Sequence, residues 1–253
     1  MTSLIDNSVT GADMNGHLAH RPHGAVPATT IPATTIPATT IPNAASRPDS
    51  PRTCTVAEAV RSIRRGGFVL IHDDPAGPFD VVGAADRLTT HQAALLIRHS
   101  SGFVQVAFRD ARGDRLRIPP IAPTTDRMAS QQCVGVDAAV GIGTGISAAD
   151  RARTIRLLGA IDSTPDDFTR PGHVMPIRVA AGKHADDAAA AALNLAERAG
   201  SVAAVYATLV TATGTGLPDL TDAAVFAAQH DIPVLHRHSL LPNPGLTVSE
   251  GTL

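Results

Sequence analysis

Short blocks of apolar residues, separated by polar positions, run from about residue 53 to 243, and their spacing switches between helical and strand periods. Thr55 and Glu58 have the spacing of a capping box, and the apolar positions that follow recur every three or four residues until Gly66. This pattern predicts a helix. Residues 68–71 then form a continuous apolar run, which is typical of a buried strand.

The same alternation continues to the end of this region. Further helices are predicted at residues 90–99, 147–158, 186–199 and 221–230. Further strands are predicted at residues 81–85, 102–108, 134–140, 174–179, 203–210 and 233–235. This order predicts an α+β domain with α/β-type alternation, in which helices surround one mixed sheet.

The two ends of the chain have a different pattern. Residues 26–43 repeat the unit IPATT, and proline-broken polar sequence follows Leu241. Each proline removes a backbone donor, and the repeat has too few large apolar side chains to offset the entropy of ordering. The sequence therefore predicts a disordered N-terminal tail at residues 1–52, one domain at 53–243 and a flexible C-terminal tail at 244–253.

The composition narrows the classes of partner. The chain has 253 residues, 43% of them hydrophobic, which is enough for one main core, and a net charge of -2 without a basic cluster. We therefore expect no nucleic-acid partner. No stretch is apolar enough to span a membrane or to act as a secretory signal, so a cytoplasmic protein is expected. Cys54 and Cys133 form no Cys-x-x-Cys pair, and Cys133 is interpreted as a small buried hydrophobe.

Three segments carry a resemblance. They read GGFVLIHDD at 66–74, GTGISAADRARTIR at 143–156 and RPGHVMPIR at 170–178. Together they resemble the signature segments of the 3,4-dihydroxy-2-butanone 4-phosphate synthase family, and weaker matches follow in the same order as far as residue 235.

The resemblance implies an α+β fold and a homodimer with its site at the subunit interface. It implies a carbon-carbon lyase that converts ribulose 5-phosphate into formate and 3,4-dihydroxy-2-butanone 4-phosphate for riboflavin biosynthesis. It also implies magnesium or manganese as the cofactor, because the reaction stabilises an enediolate and moves protons beside a carbonyl group.

The acidic loop of the family is shortened in this chain. Residues 73–80 read DDPAGPFD, so the carboxylates of Asp73, Asp74 and Asp80 remain as the catalytic candidates. No glutamate stands at the position of the family's metal ligand. The sequence therefore predicts a site in which the metal-binding and acid-base motifs are degenerate.

The second metal ligand of the family is a histidine just before a helix. Its position falls near Ala188, inside the predicted helix, and His184 could take the role only if the preceding loop were rebuilt. Otherwise His184 is a solvated loop histidine. Thr208 stands at the position of a glutamate that the family has on a late strand.

A turn that enters a helix is the predicted phosphate site. Thr144, Ser147, Asp150 and Arg151 match the family's pattern there, and backbone donors at such a turn can hold a phosphate group. The same residues also make a well-capped helix, and the sequence does not decide between these two interpretations.

Two pairs of basic residues complete the candidates. Arg98 and His99 match an Arg-His pair of the family and could bind substrate, although cations near a helix C-terminus also stabilise the helix dipole. Arg170 and His173 belong to the turn RPGH, for which maintenance of the fold is the favoured interpretation.

Two functions follow from these residues. The first is an enzyme of the family's type that acts on ribulose 5-phosphate or a related sugar phosphate. The second is a catalytically inactive or repurposed paralogue that serves as a ligand-binding or regulatory dimer partner. Formate release would favour the first, and ligand binding without turnover would favour the second.

Overall fold

The computed structural model describes residues 51–73, 77–122 and 129–241, which belong to the unit formed by residues 43–253. In these residues eight strands form one mixed sheet, in the order β4-β6-β3-β7-β2-β1-β8, and β5 pairs with β6 beside this path. The strands are β1 (Val69–His72), β2 (Asp80–Ala84), β3 (Gln105–Arg109), β4 (Gln131–Gln132), β5 (Val136–Ala138), β6 (Phe168–Val179), β7 (Ala203–Thr208) and β8 (Val234–His236). The prediction of an α+β domain with a mixed sheet is confirmed.

Helices cover both faces of this sheet. They are α1 (Val56–Arg64), α2 (Thr90–His99), α3 (Asp110–Arg115), α4 (Ala148–Gly159), α5 (Ala188–Arg198) and α6 (Leu220–Gln229). Side-chain caps fix where the longer helices begin, because each cap satisfies a backbone N–H that has no partner within the helix. The caps are Thr55, Thr89, Ser147, Asp187 and Asp219.

The strand directions explain the mixed character of the sheet. Strand β1 is parallel to β8 and antiparallel to β2, while β3 is parallel to β6 and antiparallel to β7. On the outer side of β8, Thr53 forms a parallel bridge with Val234. The backbone of residues 52–54 therefore covers that edge of the sheet.

Each face of the sheet has its own hydrophobic core. One core joins α2, α4 and α6 to the sheet through residues such as Leu96, Ile155 and Phe226. The other joins α1 and α5, with Ile63 and Leu193 completely buried. Burying a side chain of this size stabilises the fold by about 1.5–3 kcal/mol.

The boundaries of several predicted elements change in the structure. The helix at residues 90–99 is confirmed as Thr90–His99, whereas the strand predicted at 174–179 extends over Phe168–Val179, and the strand predicted at 134–140 shortens to Val136–Ala138. The prediction omitted α3 and β4, which are six and two residues long. Such short elements produce little periodic signal.

Two further expectations concern buried and membrane-spanning segments. Cys133 is completely buried, and burial raises the pKa of its thiol to about 11, which agrees with its interpretation as a small hydrophobe. Across the described residues no helix is long and apolar enough to span a membrane. The IPATT repeats and the predicted C-terminal tail lie outside the described residues.

Candidate active site

A row of polar side chains crosses three neighbouring strands on the face that α5 covers. Asp80 and Thr208 are register partners on β2 and β7, and the Thr208 hydroxyl donates to Asp80 Oδ1 at 2.6 Å. Two residues before Thr208, the Tyr206 hydroxyl donates to Gln105 Oε1 at 2.6 Å. Side chains two positions apart on a strand share a face, so both pairs line the same strip of the sheet.

The surroundings of this row shift the pKa values of two of its residues, Asp80 and Tyr206. Burial raises the pKa of Asp80 above its ordinary value, although the hydrogen bond from Thr208 and the charge of Arg237 act in the opposite direction. The pKa of Tyr206 is also raised, first by burial and then by the charges of Asp80 and Asp187. A carboxyl group with a raised pKa holds its proton closer to neutral pH, which suits proton transfer. These facts agree with Asp80 as an acid-base candidate but do not test its role.

The other two predicted carboxylates precede Asp80 in the chain. Asp73 follows β1 directly and forms an ion pair with Arg237, which follows β8. Asp74 lies outside the described residues. The β1–β8 pairing explains the ion pair, because it places the residues after both strands side by side.

The predicted phosphate turn folds back on its own helix. Ser147 caps α4, and the Asp150 carboxylate accepts hydrogen bonds from the backbone N–H groups of Gly143 at 3.3 Å and Gly145 at 3.1 Å. Thr144 and Ser147 are exposed, whereas Arg151 is buried and donates to the Gly102 carbonyl oxygen at 2.6 Å. Two of the backbone donors that could hold a phosphate therefore bind Asp150 in this structure. The exposed Thr144 hydroxyl remains available, and the Ser147 hydroxyl, whose oxygen accepts from the Asp150 N–H at 3.1 Å, can still donate its proton.

An aspartate-histidine pair lies against this turn. Asp137, on β5, accepts hydrogen bonds from the His173 backbone N–H at 3.0 Å and from its ring Nδ1 at 2.7 Å. The Asp137 side chain is 9% exposed and the His173 side chain 40%, so the carboxylate is covered while the ring reaches solvent. Gly145 completes the packing, because a Cβ atom there would overlap Asp137 Oδ2 and would lie 2.7 Å from His173 Nδ1.

The sequence alone does not reveal this pair as a functional unit. It shows His173 only as part of a turn and does not single out Asp137, because the two residues belong to separate strands. The antiparallel pairing of β5 with β6, with a register irregularity at Val136/Asp137, brings them together. The available signal was a buried acidic residue inside an apolar strand, since such a group needs a partner.

The predicted Arg98 and His99 pair lies at the C-terminal end of α2. The His99 ring contacts the rings of Phe226 and His230, with centroids 5.1 Å and 5.4 Å away. Burial lowers the pKa of His99, and the charges of His230 and Arg98 lower it further. Among the described residues no hydrogen bond or ion pair joins either residue's side chain to Asp80, Asp150 or His173. The structure places His99 in a contact between α2 and α6, while Arg98 is exposed.

The loop before α5 contains the predicted metal residue His184, which is exposed. Its neighbour Lys183 is buried and donates from Nζ to Asp187 Oδ2 at 2.7 Å, and Ser130 donates to Asp187 Oδ1 at 3.1 Å. Asp187 also caps α5 through the Ala190 N–H at 2.8 Å. The loop is therefore organised around Lys183 and Asp187, and His184 belongs to no group of possible metal ligands among the described residues.

A divalent metal ion does not fit the residues that the structure describes. Within these residues no group of three or more His, Cys, Asp and Glu side chains could hold a metal ion. Three carboxylates in the described part of this region are already bound: Asp73 by Arg237, Asp80 by Thr208 and Asp187 by Lys183. Magnesium prefers several oxygen ligands around one point, and this arrangement does not supply them.

Comparison with known proteins agrees with the architecture. The model of the 3,4-dihydroxy-2-butanone 4-phosphate synthase family matches residues 57–242. The chain belongs to this family. The expected resemblance is therefore confirmed over nearly all of the described domain.

Individual members of the synthase family differ in length. The 3,4-dihydroxy-2-butanone 4-phosphate synthase of Candida albicans is 34% identical over 192 residues, which cover 74% of this chain and 94% of that protein. The riboflavin biosynthesis protein RibBA of Nocardia farcinica is 38% identical over 192 residues, which cover 72% of this chain and 45% of that protein. The chain thus spans less than half the length of the RibBA relatives.

Solved structures of the synthase family share the fold. The crystal structure of the Candida albicans synthase has a TM-score of 0.69 at 31% identity, and covers 75% of this chain and 96% of that one. A synthase in complex with two magnesium ions has a TM-score of 0.68 at 30% identity, over 74% of this chain and 94% of that one. The use of divalent cations is thus a property of members of this synthase family, while the described residues here do not form such a site.

Proposed function

We propose that this member of the synthase family catalyses proton transfer on a phosphorylated ketose such as ribulose 5-phosphate. The observation that supports the proposal is the Asp137–His173 pair, in which a covered carboxylate orients an exposed imidazole ring. Imidazole is the side chain that most often moves protons in enzymes near neutral pH.

We propose a separate role for each ring nitrogen of His173. If Nδ1 carries the proton that is shared with Asp137 Oδ2, the second ring nitrogen is left as a proton acceptor at the exposed edge. His173 would take a proton from the carbon next to the substrate carbonyl. The electrons of the broken C–H bond form a C=C bond, and the carbonyl oxygen takes up a proton, which gives the enediol.

Other residues would bind and orient the same substrate. The exposed Thr144 and Ser147 hydroxyl groups lie on the turn that packs against the pair, and we propose that they contact the phosphate group. Asp80, with its raised pKa, is the candidate for a second proton transfer. We give no step to a metal ion, because the described carboxylates do not converge.

The complete reaction of the family is a further part of this proposal. Formate release, a homodimer and a cytoplasmic location are what the resemblance implies, and we propose them on that basis. The enediol step depends only on residues described in this chain. We therefore propose it as the reaction that is retained, with or without the later carbon migration.

Two readouts test the function on ribulose 5-phosphate, each with magnesium and with a chelator. The first is exchange of substrate carbon-bound hydrogen with deuterated water, followed by NMR, and the second is formate release. His173→Gln and Asp137→Asn should lower the exchange rate by about 100-fold or more, because general acid-base groups contribute factors of this size. His91→Gln, which changes an exposed histidine on α2, is the matched control and should leave the rate unchanged.

A non-catalytic role is the second candidate. It is favoured by the ion pair of Asp73 and by the two turn N–H groups that Asp150 occupies, because both reduce the groups that can reach a substrate. Calorimetric binding of ribulose 5-phosphate without exchange or formate release would support this second role and contradict the enzymatic one.

A further inference from the structure

A cavity of about 820 Å³ lies between α1 and α6, on the outer side of β8 and away from the polar row. Three arginines line it: Arg52 before α1, Arg61 on α1 and Arg65 at its C-terminal cap. Pockets that hold small ligands typically measure about 300–1,000 Å³. The volume therefore suits a ligand of nucleotide size.

These three arginines differ from most others in the chain. Most other guanidinium groups in the described residues are bound, as in the contacts of Arg109 with Glu197 and of Arg178 with Asp110. Within the part of the chain that the structure describes, the side chains of Arg52, Arg61 and Arg65 donate no hydrogen bond. Guanidinium groups bind phosphate and carboxylate oxygens in a bidentate manner, so unbound ones around a cavity favour an anionic ligand.

Two acidic residues also line the cavity, Glu58 and Asp231. Glu58 is engaged at the start of α1, where its carboxylate accepts from the Thr55 N–H at 2.8 Å and from the Thr55 hydroxyl at 2.9 Å. These bonds, followed by the charges of Arg61 and Arg52, keep the pKa of Glu58 low. Three guanidinium groups against two carboxylates leave positive charge in excess.

Apart from Ser62, the rest of the wall is formed by small or apolar residues. Ala224, Ala227 and Ala228 of α6 line it together with Ile232 and Pro233. Small side chains on one helix face leave room for a planar or compact body against the backbone. Arg61 and Arg65 are four residues apart, so their side chains lie on the same side of the helix.

We propose that this cavity binds a phosphate ester of nucleotide size. The phosphate groups contact Arg61 and Arg65, and the apolar body lies against Ala228, the exposed one of the three α6 alanines that line the cavity. The cavity is separate in sequence and position from the residues assigned to catalysis, so the site is an additional one for a small anionic metabolite.

The experiment is calorimetric titration of the full chain with ADP, inorganic pyrophosphate, adenosine and an acidic peptide at low ionic strength. We expect ADP to bind most tightly, and we expect its affinity to fall as the salt concentration is raised, because part of that affinity comes from charge. Arg61→Ala combined with Arg65→Ala should weaken ADP binding about 10-fold or more, the effect of losing a charged hydrogen bond. Ala228→Trp, which fills the cavity without changing charge, should have a similar effect.

Two arginine variants serve as matched controls. Arg64→Ala removes a positive charge from the same helix, but the Arg64 side chain donates to the Arg198 carbonyl oxygen and does not line the cavity. Arg117→Ala removes a charge elsewhere on the surface. Both should bind ADP like the unchanged protein. Thermal unfolding of every variant separates loss of binding from loss of folding.

The proposal is overturned if ADP does not bind, or if its affinity survives both the double arginine variant and Ala228→Trp. Tighter binding of the acidic peptide than of ADP would also overturn it, since the cavity would then recognise a protein segment.

Discussion

Gly145 has a left-handed backbone, with φ of +82°, at the point where the turn before α4 meets the Asp137–His173 pair. A side chain at this position meets two obstacles. The backbone conformation disfavours any Cβ atom, and the space is already filled by the carboxylate and the ring.

Gly145→Ala should therefore destabilise the protein and disturb the pair. Gly182→Ala is the matched control, because Gly182 has a similar φ of +83° but no neighbouring atom within 4 Å of the place that a Cβ atom would take. We expect Gly182→Ala to cost about 1 kcal/mol and Gly145→Ala about 2 kcal/mol more, measured by denaturant unfolding. Equal losses for the two variants would mean that the packing around the pair is not tight.

The buried Asp80 makes a prediction about pH. Its pKa is raised in the folded protein, so the stability that its protonated form contributes is fully present below the unfolded pKa and is lost as pH rises through the folded pKa. Asp80→Asn keeps an acceptor for the Thr208 hydroxyl and does not titrate. The unfolding free energy of the variant, relative to the unchanged protein, should therefore increase as pH is raised from about 4, the ordinary pKa of an aspartate, towards and beyond neutral pH. A constant difference over that range would contradict the raised pKa.

Single residues were predicted well where the chemistry was local. Ser147 caps α4 and Asp150 lies in its first turn, as their spacing indicated. The Asp137–His173 pair and the Lys183–Asp187–Ser130 contacts depend on which strands and loops become neighbours. A local sequence pattern does not show which residues from distant segments will become such neighbours.

Among the elements, α5 depends most on one side chain at its start. Asp187 caps the helix, accepts from Ser130 and pairs with the buried ammonium group of Lys183. Asp187→Ala should cost about 3 kcal/mol, because it removes a cap and leaves a buried cation without its partner. Asp219→Ala removes only the cap of α6 and should cost about 1 kcal/mol.

A second variant separates the two contributions of Asp187. In a Lys183→Met background the cation is absent, so Asp187→Ala should cost about as much as Asp219→Ala. Chemical unfolding of the unchanged protein, Asp187→Ala, Asp219→Ala, Lys183→Met and the double variant Lys183→Met/Asp187→Ala gives the comparison. If the loss remained as large without Lys183, the ion pair would not be its cause.

Element boundaries were predicted less well than the elements themselves. Strand β6 includes Pro171, whereas the sequence predicted a strand only from residue 174 and a turn at RPGH before it, because proline normally interrupts a ladder. The structure accommodates this proline at the register irregularity between β5 and β6: β5 pairs with Phe168 and Thr169 before the proline and with Val174 after it, and pairing with β3 begins at Met175. Pairing between distant segments decided the boundary.

At the scale of the whole molecule, the described core residues lie between Ala59 and Leu240. Removal of residues 1–42 should therefore change the thermal unfolding midpoint by less than about 2 °C. Removal of residues 1–54 should lower it clearly, because the hydrogen bonds between Val234 and the backbone of Arg52 and Cys54, at 3.1 Å and 2.8 Å, are lost. A large effect of the shorter truncation would contradict the predicted boundary of the tail.

The class of fold followed from the sequence, but its strand order did not. Alternating helices and strands predicted a mixed sheet with helices around it. The central position of β7 between β3 and β2 could not be read from periodicity, since hydrophobic patterns show which face is buried and not which strand is adjacent. The same limit explains why the cavity between α1 and α6 was not foreseen.

The pairing of β1 with β8 has a consequence for synthesis on the ribosome. Among the described strands β1 emerges first, and one of its edges is completed only by β8, which emerges last. The residues before α1 then pair with the outer edge of β8. Non-local pairing of this kind delays folding until the whole domain is available. While translation continues, the backbone N–H and C=O groups on the open edge of β1 can pair with wrong partners, so chaperone dependence should be greatest for nascent chains that stop just short of Val234.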